Sequence, residues 1–204
     1  MLKLLRRLFL LSIVLVGAII LARENIGIWI AEDALEELTG FRIVIGRLNI
    51  KLNKPMLIAQ EVTLRNPKGL YREPLAMKID RIEAEYEPSS FLRGKPHFQR
   101  LNLQISDAIA VKNTDGQVNL NRLRLPAVRA DPRGEPRACK IDEFVLSMDR
   151  ILYLNEQREN SQPEVYPVNA RNEIHRHIHD PEDIKRLVRD RINHALPTSQ
   201  HLSK

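Results

Sequence analysis

Arg47-Leu48-Asn49-Ile50-Lys51-Leu52 alternates polar and apolar residues without a break. That period of two predicts a strand with one buried face. Asn53-Lys54-Pro55 interrupts it, and Met56 to Arg65 forms the next run, with Val62 and Leu64 on one face and Glu61, Thr63 and Arg65 on the other. Asn66-Pro67-Lys68-Gly69 predicts a turn, because Asn before Pro is held extended and Gly accepts a positive φ. Leu75 to Tyr86 predicts a third strand, in which Ile82, Ala84 and Tyr86 oppose Arg81, Glu83 and Glu85. Ile79 is out of phase with Ile82, so a bulge is expected near Asp80. His97 to Ile105 alternates again with Leu101, Leu103 and Ile105 inward, and Ala108 to Asn113 follows almost directly. Thr114-Asp115-Gly116 then predicts a hairpin turn into Gln117-Val118-Asn119-Leu120.

Later segments are less regular. Residues 126–138 are rich in Pro, Arg and Gly and read as a mobile loop, Lys140 to Leu154 returns to strand patterning, and Asn155 to Tyr166 is polar and reads as loop. Asp180 suits an N-cap, Pro181 the first helical position, and Glu182 and Asp183 the first turn. Ile184, Leu187, Val188, Ile192 and Ala195 then form one helical stripe, which Pro197 ends. Short strands with turn-like joins predict an α+β, mainly β fold: an antiparallel meander of six or seven strands with a C-terminal amphipathic helix. One face of its sheet is apolar and the other charged.

Before the strands the pattern changes character. Lys3, Arg6 and Arg7 precede an apolar run from Leu8 to Ala22, and the pattern resumes at Ile26-Gly27-Ile28-Trp29-Ile30. A helix from Leu8 to Ile30 would reach roughly 35 Å, enough to cross a hydrocarbon core of about 30 Å. A cleaved signal peptide is the alternative, but Ile20-Leu21-Ala22 offers a poor small-residue cleavage site. The expectation is a transmembrane signal anchor over residues 1–30, with the cations on the cytoplasmic side and the rest of the chain across the membrane. Ala31 to Leu38 continues as a short amphipathic helix stopped by Thr39-Gly40. The expected domains are therefore 1–30 for the anchor, 31–155 for the β-rich body, and 156–204 for a polar loop, the terminal helix and a frayed tail.

Composition narrows the classes further. With 43% hydrophobic and 28% charged residues the chain is globular rather than disordered. Its net charge of +6 is dispersed among many acids, which argues against nucleic-acid binding. Cys139 is the one cysteine, so no internal disulfide framework exists; beside a strand it reads as a buried thiol.

The elements taken together resemble the AsmA-like bacterial envelope proteins. The resemblance is carried by Leu38-Thr39-Gly40-Phe41-Arg42, Ile50-Lys51-Leu52, Val62-Thr63-Leu64-Arg65-Asn66-Pro67 and Val111-Lys112-Asn113 followed by Asp115-Gly116 and Asn119-Leu120. It covers roughly residues 1 to 155. It implies a strongly bent, taco-like sheet related to chorein-type lipid-transfer grooves, an inner-membrane anchor and a periplasmic body. The implied partner is a phospholipid or other envelope lipid, with other envelope proteins as possible associates. Six strands at about 4.8 Å give a groove of only roughly 25–30 Å, too short to bridge an envelope alone.

The residues expected to face lipid are Leu48, Ile50, Leu52, Val62, Leu64, Ile82, Ala84, Leu101, Leu103 and Ile105. The competing expectation is that they form ordinary core beneath the terminal helix, in a structural or assembly protein that binds no lipid. His175, His177 and His179 carry metal-ligand chemistry at strand spacing, but Arg176 is interleaved and a solvated turn before the helix is the better expectation. No nucleophile elbow, phosphate loop or zinc-protease motif occurs, so neither an enzyme nor a cofactor is expected.

Overall fold

The computed structural model describes residues 39–51, 54–92, 96–122, 140–159, 161–179 and 181–200, together with Glu32 and Glu36. The expected anchor, Leu52, Cys139, the 126–138 loop, His179's neighbour Asp180 and the last four residues lie outside that set. Among the described residues no helix is long and apolar enough to cross a membrane.

Six strands form one sheet in sequence order: β1 (Arg42–Lys51), β2 (Met56–Arg65), β3 (Leu75–Tyr86), β4 (His97–Lys112), β5 (Lys140–Asn155) and β6 (Glu164–Ile178). A short helix α1 (Pro88–Leu92) joins β3 to β4, a 3₁₀ turn (Asn119–Arg122) follows β4, and α2 (Pro181–Ala195) follows β6. β2 and β3 coincide with their predicted bounds, and β1 begins five residues earlier than its alternation indicated.

The sheet is mixed rather than an antiparallel meander. Every neighbouring pair is antiparallel except β4 and β5, which run parallel from His97↔Lys140 to Lys112↔Asn155. A parallel pair needs a crossover rather than a tight turn, and residues 113–139 are long enough to supply one. Lys140 N donates to Pro96 O at 2.9 Å, bringing the start of β5 beside the start of β4. The predicted Asp-Gly turn forms, with Gly116 at φ 81°, but it closes only a single bridge between Lys112 and Val118. A second correction concerns the stretch before the terminal helix, where β6 occupies residues expected to be loop or solvated turn.

On β1 to β4 the inward alternation slips near the middle of each strand, and these slips lie side by side. Gly46 stands between Ile45 and Arg47, whose partners on β2 are Val62 and Gln60, so it faces Glu61, which has φ 56°. On β3 the skipped residue is Asp80, as the sequence predicted, and on β4 it is Ser106. Because neighbouring strands slip together, the apolar residues stay on one face through the irregularity. A Cβ on Gly46 would come within 2.8 Å of Glu61 Cβ, a backbone-anchored atom that cannot swing aside. Gly46→Ala is therefore expected to destabilise by about 1–3 kcal/mol, read as a lower urea midpoint.

The main core lies on the inner face. Phe41, Ile43, Ile45, Val62, Leu64, Met77, Ile79, Ile105, Phe144, Leu146, Met148 and Ile151 are buried together there. Ile184, Leu187, Val188, Ile192 and Ala195 of α2 join the same cluster, as their stripe predicted. α2 lies against β6 and, less extensively, β5. Arg191 Nε reaches Glu173 Oε2 on β6 at 2.6 Å. Upstream of β1, Gly40 (φ 74°) donates its N–H to Glu36 O at 2.9 Å. Ile45 N on β1 donates to Glu32 Oε1 at 2.6 Å.

Candidate functional site

Register shows which inner-face residues stand together. Leu48, Ala59, Ile82, Leu103 and Leu146 are successive partners across β1 to β5. Ile50, Leu57, Ala84, Leu101 and Phe144 form the adjacent row, which ends on His175. The two rows are fully buried on β5, and on β1 to β4 their large side chains are only partly covered, the small Ala59 and Ala84 lying buried between them. Phe144 and Leu146 on β5 are fully buried, Leu48, Leu57, Ile82, Leu101 and Leu103 are half-buried, and Ile50 is 42% exposed. The half-open positions all lie at one end of the sheet, around the β1–β2 and β3–β4 connections.

The ten expected lipid-facing residues therefore divide. Val62, Leu64, Ala84 and Ile105 are buried core, and Leu48, Ile82, Leu101, Leu103 and Ile50 form the half-open corner. Leu52 lies outside the described residues. Sequence alternation missed Leu57, Ala59, Phe98 and Phe144, which share that face. The slip at Glu61 puts Leu57 and Ala59 out of phase with Val62 and Leu64, so a single period could not collect all four.

A clamp borders this corner. His97, the first residue of β4, holds Glu87 Oε2 on Nδ1 at 3.1 Å and Asp142 Oδ2 on Nε2 at 2.8 Å. Lys140 Nζ lies 2.8 Å from Asp142 Oδ1. Ser90 Oγ donates to Glu87 O at 2.5 Å and accepts from His97 N at 2.9 Å. The hydrogen bond to Asp142, then that to Glu87, pushes the His97 imidazole above its ordinary value of 6.5. With both ring nitrogens bonded to carboxylates, the ring ties the β3–α1 junction to β4 and β5, and neither nitrogen is open to a substrate.

The linkage has a definite sign. A raised His97 value stabilises fully below about pH 6.5, and that contribution is lost as pH climbs through the raised value. The hydrogen bond from Lys140, then that from His97, holds Asp142 below its ordinary 3.8. Its contribution is present above about pH 3.8 and is lost as pH falls through the lowered value. His97→Ala is expected to cost roughly 0.5–1 kcal/mol near pH 5, where both charges are present. The difference from wild type in urea midpoint should shrink by pH 9.

The motifs that carry the family resemblance meet in a buried amide network. Asn119 Nδ2 donates to Asn66 Oδ1 and to Ile109 O, both at 2.9 Å, and its Oδ1 accepts from Val111 N and Leu120 N at 2.8 Å. Asn66 Nδ2 donates to Glu73 O at 2.8 Å and Leu75 O at 3.0 Å. Glu156 Oε1 accepts from Arg72 N at 2.7 Å and Glu73 N at 3.0 Å. These residues fasten the β2–β3 connection to the turn after β4 and the end of β5. Their role is architectural, and no reactive group lies among them.

The histidines do not converge. His175 is half-buried on the inner face, its ring 6.2 Å from that of Phe144, whereas His177 is exposed at φ 59° and Ile178 takes the next inward position. That positive φ removes the shared face that strand spacing implied. Among the described residues no three His, Cys, Asp or Glu side chains form a metal-holding group.

The outer face carries alternating charge. Lys54–Glu85 (3.0 Å), Arg100–Glu143 (3.2 Å), Arg81–Glu83 (2.5 Å), Lys78–Asp107 (3.6 Å) and Arg150–Asp107 (2.5 Å) pair across it. Hydrogen bonding from Arg81 holds Glu83 below its ordinary range. No family model, curated protein or solved structure matches the chain.

Proposed function

We propose that the chain is an inner-membrane-anchored protein of the bacterial envelope whose periplasmic β-rich body handles phospholipid on its apolar sheet face. The observation that carries this reading is the half-open corner. Leu48, Ile50, Leu57, Ile82, Leu101 and Leu103 form a partly exposed apolar surface on four strands, and the rows they belong to are fully buried where they reach β5. A partly open apolar area next to a core is a place where an apolar ligand can add to the burial the fold already makes. The aligned slips at Gly46, Glu61, Asp80 and Ser106 favour the bent sheet that a groove requires, since irregular positions are where strands bend. The N-terminal pattern and the AsmA-like motifs support the anchor and the compartment. The surface acts by burying acyl chain, with no catalytic step.

Burial of Val62, Leu64, Ala84 and Ile105 favours a second reading, a structural or assembly protein whose face is closed core. The two readings separate on Leu103, which is half-buried at the corner and leaves room for a charged replacement to snorkel. In the full chain, Leu103→Lys is expected to keep the unfolding free energy from urea within about 1 kcal/mol of wild type and to lose most of the co-purified phospholipid. A folded variant that keeps its lipid overturns the groove and leaves the structural reading.

A further inference from the structure

His97 serves two carboxylates at once. Its Nδ1 lies 3.1 Å from Glu87 Oε2 and its Nε2 lies 2.8 Å from Asp142 Oδ2. An ionised carboxylate only accepts, so each contact needs an N–H, and only the imidazolium carries two. A neutral ring has one N–H and turns a lone pair toward the other carboxylate. Among the described residues, the charged groups that face the ring are Glu87 after β3 and Asp142 and Lys140 on β5, with Lys140 Nζ 2.8 Å from Asp142 Oδ1. From α1 the ring's residue meets Ser90, whose Oγ accepts from His97 N at 2.9 Å.

The two carboxylates are not held equally. Asp142 belongs to β5, which pairs with β4 from His97↔Lys140 to Lys112↔Asn155 without a register shift. Glu87 follows the last residue of β3, where the register with β4 shifts between Glu85 and Tyr86. Its N–H donates to His97 O at 3.0 Å, and its O accepts from Ser90 N at 3.1 Å. Tyr86 N, one residue earlier, donates to Pro55 O at 3.0 Å. The β3–α1 junction is thereby joined to the start of β4 and to the β1–β2 connection, the same two connections that surround the half-open corner. Loss of one ring proton therefore loosens the Glu87 side and leaves the β4–β5 ladder in place.

We propose that the Glu87–His97–Asp142 bridge is a proton-operated latch on the β3–α1 junction, closed by the imidazolium and released by the neutral ring. Its consequence rests on the inner-face reading: where the corner takes acyl chain, release of the latch opens the corner's mouth. The carboxylates that hold the ring also set the window. With His97 raised above 6.5, first by Asp142 and then by Glu87, the latch is fully closed below about pH 6.5 and is lost as pH climbs through the raised value.

The test is residue-resolved hydrogen exchange of the full chain in detergent micelles at about pH 5 and about pH 9, corrected for intrinsic exchange rates. The amides of Tyr86, Glu87 and Ser90 should lose protection by about three-fold at the higher pH, while those of Leu103 and Leu146 keep theirs. His97→Gln, whose single amide nitrogen cannot serve both carboxylates, should show the low protection at both pH values. Glu87→Gln should show the high protection at both, because its amide donates to a neutral ring and accepts from a charged one. Wild-type protection that ignores pH, a Glu87→Gln variant that tracks wild type, or a fall shared by Leu103 and Leu146 would each overturn the latch. Uptake of a phospholipid with a fluorescent acyl chain should be faster at the higher pH in wild type and independent of pH in Glu87→Gln. Uptake that ignores pH while exchange follows it overturns the control of the corner. No uptake at either pH overturns the inner-face reading and leaves the latch.

Discussion

Asn119→Ala is expected to lower the stability of the full chain by about 3–4 kcal/mol, read from urea unfolding. Its amide is fully buried and fully satisfied: both Nδ2 hydrogens and both Oδ1 lone pairs have partners. Truncation orphans the N–H groups of Val111 and Leu120, the carbonyl of Ile109 and the Asn66 Oδ1 at once. Each buried orphan costs roughly 1–3 kcal/mol, reduced where a water can enter. Loss of Asn66's partner also loosens the β2–β3 connection, because the same side chain holds Glu73 O and Leu75 O. Asn121, two positions on and exposed, is the control: Asn121→Ala should change stability by no more than about 0.5 kcal/mol. A small effect at Asn119 would mean that the network is dispensable and the motifs have another use.

Phe144→Ala should cost about 3–5 kcal/mol. The ring is wholly buried at the inner end of the row that begins at Ile50, between Leu101 on β4 and His175 on β6. Removing it withdraws a large apolar surface and opens a cavity that the flanking strands, fixed by continuous register, cannot collapse into. Ile50→Ala at the exposed end of the same row should cost well under half as much. That contrast tests the difference in burial between the two ends. Equal costs at the two ends would contradict the half-open corner.

Legibility in the sequence followed burial on one face. β2 and β3 were readable because Val62 and Leu64, and Ile82 and Ala84, alternate against charged neighbours, and the slip at Asp80 was visible as a phase error. The early part of β1 was not, since Phe41, Ile43, Val44 and Ile45 carry apolar residues on both faces. β6 was missed for a different reason: its inward positions include Glu173 and His175, and Pro167 and three residues at positive φ interrupt it. Edge strands often carry such interruptions, which blunt them against further pairing. The parallel β4–β5 pair was not legible, because alternation states which side chains are buried and never which way the neighbouring strand runs. Asn66-Pro67 and Asp115-Gly116 were readable as turn chemistry, but Asn119 read as the far arm of a hairpin, whereas its side chain reaches back to Asn66, Ile109 and Val111.

The most direct test of the inner-face account uses the wild-type full chain reconstituted with a phospholipid carrying a photoreactive acyl chain. After illumination the attachment sites are mapped by proteolysis and mass spectrometry. The account predicts adducts on Leu57, Leu101 and Leu103, reduced by excess unlabelled phospholipid, with none on the buried Phe144 or Met148. Adducts confined to residues 1–30, with the corner untouched, would contradict it and leave the sheet face as closed core.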